Sequence, residues 1–118
     1  MRKYFHLANC DTCQRILSDL GELLAEFYGH EIKTTPISEN DITEMRKRTD
    51  SYESLFSRRA MKFRSMGLGE KDLSEEDYKS LIKEEYTFLK RPVFIVEDKI
   101  FIGNSKKNIE KLKKVLAS

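Results

Sequence analysis

Two cysteines, Cys10 and Cys13, are the only ones in the chain, and they are spaced C-x-x-C. Such a pair can cycle between dithiol and disulfide, or it can ligate a metal. Its surroundings favour the first. The run Tyr4–Ala8 ahead of it reads as the end of a β-strand, and a long amphipathic helix follows. A cysteine just ahead of a helix faces unsatisfied N–H groups and the positive end of the helix dipole. That field stabilises the thiolate, the reactive form of the side chain. Residues three apart in a first helical turn also come close enough to bridge, since disulfide Cα atoms lie about 4.4–6.8 Å apart. Position assigns the roles: Cys10 at the helix mouth attacks, and Cys13 on the first turn resolves the mixed disulfide. A zinc site using Cys10, Cys13 and His6 is the competing chemistry. Structural zinc takes four ligands, however, and the other histidine, His30, lies at the far end of the first helix. His6, at the strand end, either tunes Cys10 or packs. Arg15 reads as a solvated helix arginine.

The elements that must hold this pair follow from periodicity. A first strand is expected over residues 3–7 and a first helix over 13–28. The helix carries an apolar stripe of Ile16, Leu17, Leu20, Leu23, Leu24 and Phe27, and Gly29 is its stop. Residues 30–35 read as a second strand ended by Pro36. The middle changes character. Ser38 with Asp41, and Ser74 ahead of Glu75-Glu76-Asp77, are helix starts. Asp50 opens a further segment with Leu55 and Phe56 as its apolar residues, and another covers residues 60–66. Residues 37–89 therefore form an all-helical insert. Beyond it, Pro92–Val96 is a buried strand, Glu97-Asp98-Lys99 a hairpin turn and Ile100–Ile102 a fourth strand. Ser105 caps a last helix with Ile109, Leu112, Val115 and Leu116 on its apolar face.

The 118 residues are the size of one domain, so a single core over residues 1–118 is expected. The 22 Lys and Arg and 20 Asp and Glu leave a net charge of +2, too little to indicate nucleic-acid binding. No apolar stretch approaches the roughly 20 residues of a membrane span, and nothing reads as a signal peptide. The expectation is a soluble, cytoplasmic monomer. The lysines of the last helix read as its outer face.

The order β-α-β, helical insert, β-β-α is that of the thioredoxin fold, an α/β class with a mixed four-stranded sheet. There the residue opening the third strand is usually a cis-proline near the cysteines, and Pro92 holds that place. The chain as a whole resembles the ArsC/Spx family of arsenate reductases and Spx-type regulators. The resemblance rests on His6 with Cys10-Asp11-Thr12-Cys13, on Ser54-Leu55-Phe56, Met66-Gly67-Leu68 and Leu73-Ser74-Glu75-Glu76, and on Lys90-Arg91-Pro92-Val93 with Phe101-Ile102-Gly103-Asn104.

The resemblance implies that Cys10 is the nucleophile and that Arg91 binds an oxyanion or stabilises the thiolate. It also matches His6 to a histidine of the reductases' active-site loop. Two further arginines of the reductases correspond here to Ser57 and Asn104. Arg58, directly after Ser57, is with His6 and Pro92 a candidate for the substrate or thiolate environment, although one residue along a helix turns a side chain by about 100°. Arsenate against a thiolate needs several cations, and Cys13 is a resolving thiol that the one-cysteine reductases lack. The implied activity is thus a thiol–disulfide oxidoreductase using Cys10 and Cys13, with arsenate reduction as a sub-case. It needs no bound cofactor or metal; glutathione with glutaredoxin, or thioredoxin, would serve as external reductant and partner. The alternative is an Spx-like redox switch that binds RNA polymerase or another protein, without direct nucleic-acid contact.

Overall fold

The computed structural model describes residues 1–118. In chain order the elements are β1 (Arg2–His6), α1 (Asp11–Leu20), β2 (Tyr28–Glu31), α2 (Glu39–Lys47), α3 (Met61–Ser65), α4 (Glu75–Glu84), β3 (Val93–Val96), β4 (Lys99–Ile102) and α5 (Lys106–Leu116). Short 3-10 turns intervene. Contacts divide the chain into two compact units: Met1–Thr35 with Arg91–Ser118, and Pro36–Lys90.

The first unit contains the mixed four-stranded sheet, ordered β2-β1-β3-β4. β1 runs parallel to β2 and antiparallel to β3, and β3 is antiparallel to β4. Tyr4 pairs with Phe94, and Phe94 with Phe101, so alternate side chains line up across the strands. This row, with Val96, meets Ile16 and Leu20 of α1 and Ile109 and Leu112 of α5 in one apolar cluster. Every residue of β3 is buried, as a central strand requires. The Arg91–Pro92 peptide that precedes it is cis, as the thioredoxin-fold order implied for Pro92.

In the first unit, two expectations need correction. α1 ends at Leu20 rather than running to Tyr28, because Gly21 turns out of the helix with φ +49° and ψ −121°. Leu23 and Leu24 continue the apolar spacing in a single 3-10 turn, which is why periodicity alone read as one helix. Gly29 is then no helix stop. It lies within β2, shifted from the expected 30–35, opposite Tyr4. A Cβ at Gly29 would sit 2.7 Å from the Tyr4 hydroxyl, so glycine lets the tyrosine lie across the strand pair.

In the second unit, α2 and α4 both open with capping boxes. Ser38 Oγ accepts from the Asp41 N–H at 3.0 Å and Asp41 accepts from the Ser38 N–H at 2.9 Å. Ser74 and Asp77 repeat the arrangement. Lys79 and Lys83 of α4 bracket Glu39 of α2. The core is built on Phe56, stacked on Phe88 at 5.0 Å and edge-on to Tyr78 at 4.9 Å. The segment opened by Asp50 is not a helix. It forms only a 3-10 turn at Glu53–Leu55 before Phe56 becomes extended and bridges to Leu89.

Candidate active site

Both candidate thiols lie at the first turn of α1. Cys10 is its N-cap, in extended conformation, and Cys13 is fully buried beneath. The Cys10 N–H donates to the Leu7 carbonyl at 3.1 Å, and the Gln14 N–H to the Cys10 carbonyl at 3.0 Å. The approach loop is thus a closed turn that delivers Cys10 to the helix end. Both thiols are free.

Their electrostatics differ in sign. Partial burial pushes the Cys10 thiol up, but four opposing effects prevail and bring it below its ordinary value. These are the Cys13 backbone N–H, a hydrogen bond from the Cys13 thiol, a hydrogen bond from Arg91, and the Arg91 charge. Cys13 is pushed up to about 11, first by burial and then by the neighbouring Cys10, against a hydrogen bond with the Leu7 backbone and the Arg91 charge. One thiol is therefore prepared to ionise while the other keeps its proton. Arg91 stands on the residue before cis-Pro92, at the start of the buried β3, so a rigid element aims its charge at the sulfurs.

His6 comes to the same loop. Burial lowers its pKa, Glu31 opposes the shift and His30 adds to it. Its ring lies 5.4 Å from Tyr4, and its Nδ1 is 3.4 Å from Gln14 Nε2. No group of three or more His, Cys, Asp or Glu side chains is arranged to hold a metal. His30 is buried and bonded to the Thr35 carbonyl at 2.6 Å. Arg58, in the second unit, binds Glu53 at 2.7 Å and the Tyr78 hydroxyl at 2.8 Å. Ser57 donates its N–H to the Phe88 carbonyl at 2.7 Å, and Asn104 is exposed.

Two residues that the sequence reading passed over hold the loop. Gln14 Nε2 donates to the Leu7 carbonyl at 3.1 Å. Glu31, at the end of β2, accepts from the Ala8 N–H at 2.9 Å with one oxygen. Its other oxygen accepts from the Lys33 and Thr34 N–H groups and the Thr34 hydroxyl. These bonds, that from Ala8 foremost, bring its pKa down to about 2. The linear signal for this clamp is faint: a carboxylate followed three residues later by threonine.

The ArsC family model matches residues 5–112. The global transcriptional regulator Spx of Streptococcus pyogenes serotype M1 is 25% identical over 96 residues, covering 80% of this chain and 72% of that one. Among solved structures, the YFFB protein superposes with a TM-score of 0.81 at 19% identity, covering 98% and 99% of the two chains. The arsenate reductase from Vibrio cholerae does so with a TM-score of 0.72 at 14% identity, covering 97% and 96%.

Proposed function

The chain belongs to the ArsC family, and on that premise we propose that it is a thiol–disulfide oxidoreductase with Cys10 as nucleophile and Cys13 as resolving thiol. The observation that carries this reading is the placement of two free thiols at the start of α1, Cys10 at its N-cap and Cys13 buried beneath, with Arg91 hydrogen-bonded to Cys10. The Cys10 thiolate attacks a substrate disulfide. A bond forms between Cys10 Sγ and one substrate sulfur, and the other substrate sulfur leaves as a thiolate and takes up a proton. Once Cys10 is in the mixed disulfide, its charge no longer raises the Cys13 pKa, while Arg91 still lowers it. Cys13 then gives up its proton and attacks Cys10 Sγ, releasing the second substrate thiol and leaving a Cys10–Cys13 disulfide. Two electrons have passed to the substrate. Glutathione with glutaredoxin, or thioredoxin, returns them.

Arsenate is the weaker substrate class. Ser57 and Asn104 stand where the resemblance implies arginines, so Arg91 is left as the matched cation. We expect disulfide-dependent turnover in a thioredoxin- or glutaredoxin-coupled assay, and no sustained arsenate-dependent turnover. The reverse outcome would overturn the reading. Cys10→Ser should abolish turnover, and Cys13→Ser should accumulate a mixed disulfide detectable by mass spectrometry.

A second reading is favoured by the Spx relatives, which this chain matches over 80% of its length. In it the same disulfide switches binding to RNA polymerase. A pull-down with RNA polymerase under oxidising and reducing conditions separates the two readings: absence of binding in both states excludes the switch.

A further inference from the structure

The second unit has a groove that the thiol chemistry does not use. It is a cavity of about 920 Å³, and its lining includes Arg58, Arg59, Met61, Phe63, Arg64 and Glu70. Ala60, Met61 and Phe63 supply apolar side chains to its lining. Phe63 is anchored from behind by an edge-on contact with Phe56 at 6.0 Å, so its ring is a fixed wall. Met61 is 89% exposed, the most exposed of the chain's large apolar residues. A thioether side chain in that setting is an adaptable contact surface that has little reason to stand in water.

The rim is cationic. Between residues 57 and 69 the chain has Arg58, Arg59, Lys62 and Arg64 and no acidic residue. Glu53 holds Arg58, and Glu85 holds Lys62. Arg59 and Arg64 are exposed and form no ion pair. Glu70 is the only carboxylate of the lining, against three arginines. In a chain whose net charge is only +2, this is a local excess of positive charge around an apolar slot.

We propose that this groove binds an acidic, apolar-anchored segment of a partner protein: a leucine or phenylalanine side chain set against the apolar lining that Phe63 and Met61 supply, with flanking carboxylates on Arg59 and Arg64. Arginine suits this because its planar fork pairs carboxylates bidentately. A nucleic-acid duplex fits less well, because the two lining arginines without an ion pair, Arg59 and Arg64, are too few to track a row of phosphates. None of the lining residues belongs to the thiol pair.

The test is fluorescence anisotropy with a short labelled peptide in which glutamates alternate with leucine and phenylalanine. Polyglutamate, a lysine-for-glutamate peptide and a labelled DNA duplex serve as comparisons. Saturable binding of the first peptide should weaken at least about tenfold in the Arg59→Glu/Arg64→Glu double variant, as loss of charge-assisted bonds requires. It should weaken several-fold in Met61→Ala. Both variants alter exposed side chains, so thermal melting should be unchanged, and Arg59→Gln/Arg64→Gln provides a milder check. Cys10→Ser should bind as the parent does, which separates this site from the redox reading. Binding no tighter than that of polyglutamate, binding unaffected by the variants, or equal affinity for DNA would each overturn the proposal. So would self-association in sedimentation that the same variants abolish, since the groove would then be covered by a second copy.

Discussion

A C-x-x-C pair acts through the difference between its two sulfurs, and here that difference has named causes. Cys10 sits at the helix mouth under Arg91, whereas Cys13 is buried and shares Cys10's field. Removing the guanidinium in Arg91→Ala should raise the Cys10 pKa and slow its alkylation at neutral pH; Arg91→Lys should restore part of the effect. Glu31 is a positioning residue by the same logic, since its carboxylate holds the Ala8 N–H at the base of the loop. Its pKa is about 2 against an ordinary 4.5. A folded-state pKa below the unfolded one contributes stability that is present above pH 4.5 and lost as pH falls toward 2. Urea titrations over that range should show a shallower acid loss in Glu31→Gln than in the parent. An unchanged acid limb would mean that the clamp contributes nothing.

At the scale of elements, the helix caps and the apolar strands were legible because their signals are local. Ser38 with Asp41 and Ser74 with Asp77 are capping residues at fixed offsets, and both form the boxes their spacing implies. Ser74→Ala should destabilise the protein by about 1 kcal/mol in chemical denaturation. Phe94, fully buried in the row from Tyr4 to Phe101, should cost about 3–5 kcal/mol as alanine. The end of α1 was misread because a 3-10 turn continues an apolar spacing while a glycine at φ +49° breaks the backbone. The start of β2 was misread because its pairing with β1 is set by Tyr4 lying over Gly29, a contact between residues far apart in sequence. The Glu31 and Gln14 clamps were illegible for a related reason: each joins polar groups that only the folded chain brings together.

For the molecule as a whole, the thioredoxin-fold order was readable from the succession of elements, and the family from motifs spread along the chain, Cys10-Asp11-Thr12-Cys13 and Lys90-Arg91-Pro92-Val93 among them. The fold places Arg91 and Pro92 at the head of the strand paired with β1, whose end leads into the cysteine loop. Nothing in the linear chain says that Arg91 reaches a sulfur 81 positions earlier; that came from the resemblance and then from geometry. No helix is long and apolar enough to cross a membrane. If the pair works as a redox couple, the whole protein should equilibrate with a glutathione buffer inside the cytosolic range, about −220 to −320 mV. Arg91→Ala should shift that potential downward by destabilising the reduced, thiolate form. The most direct test of the central claim is the rate of Cys10 alkylation against pH, in the parent and in Arg91→Ala. The inflection should lie below the usual thiol value of about 8.5 in the parent and higher in the variant. Coincident inflections at about 8.5 would contradict it, and Cys10 would then be an ordinary thiol that happens to precede a helix.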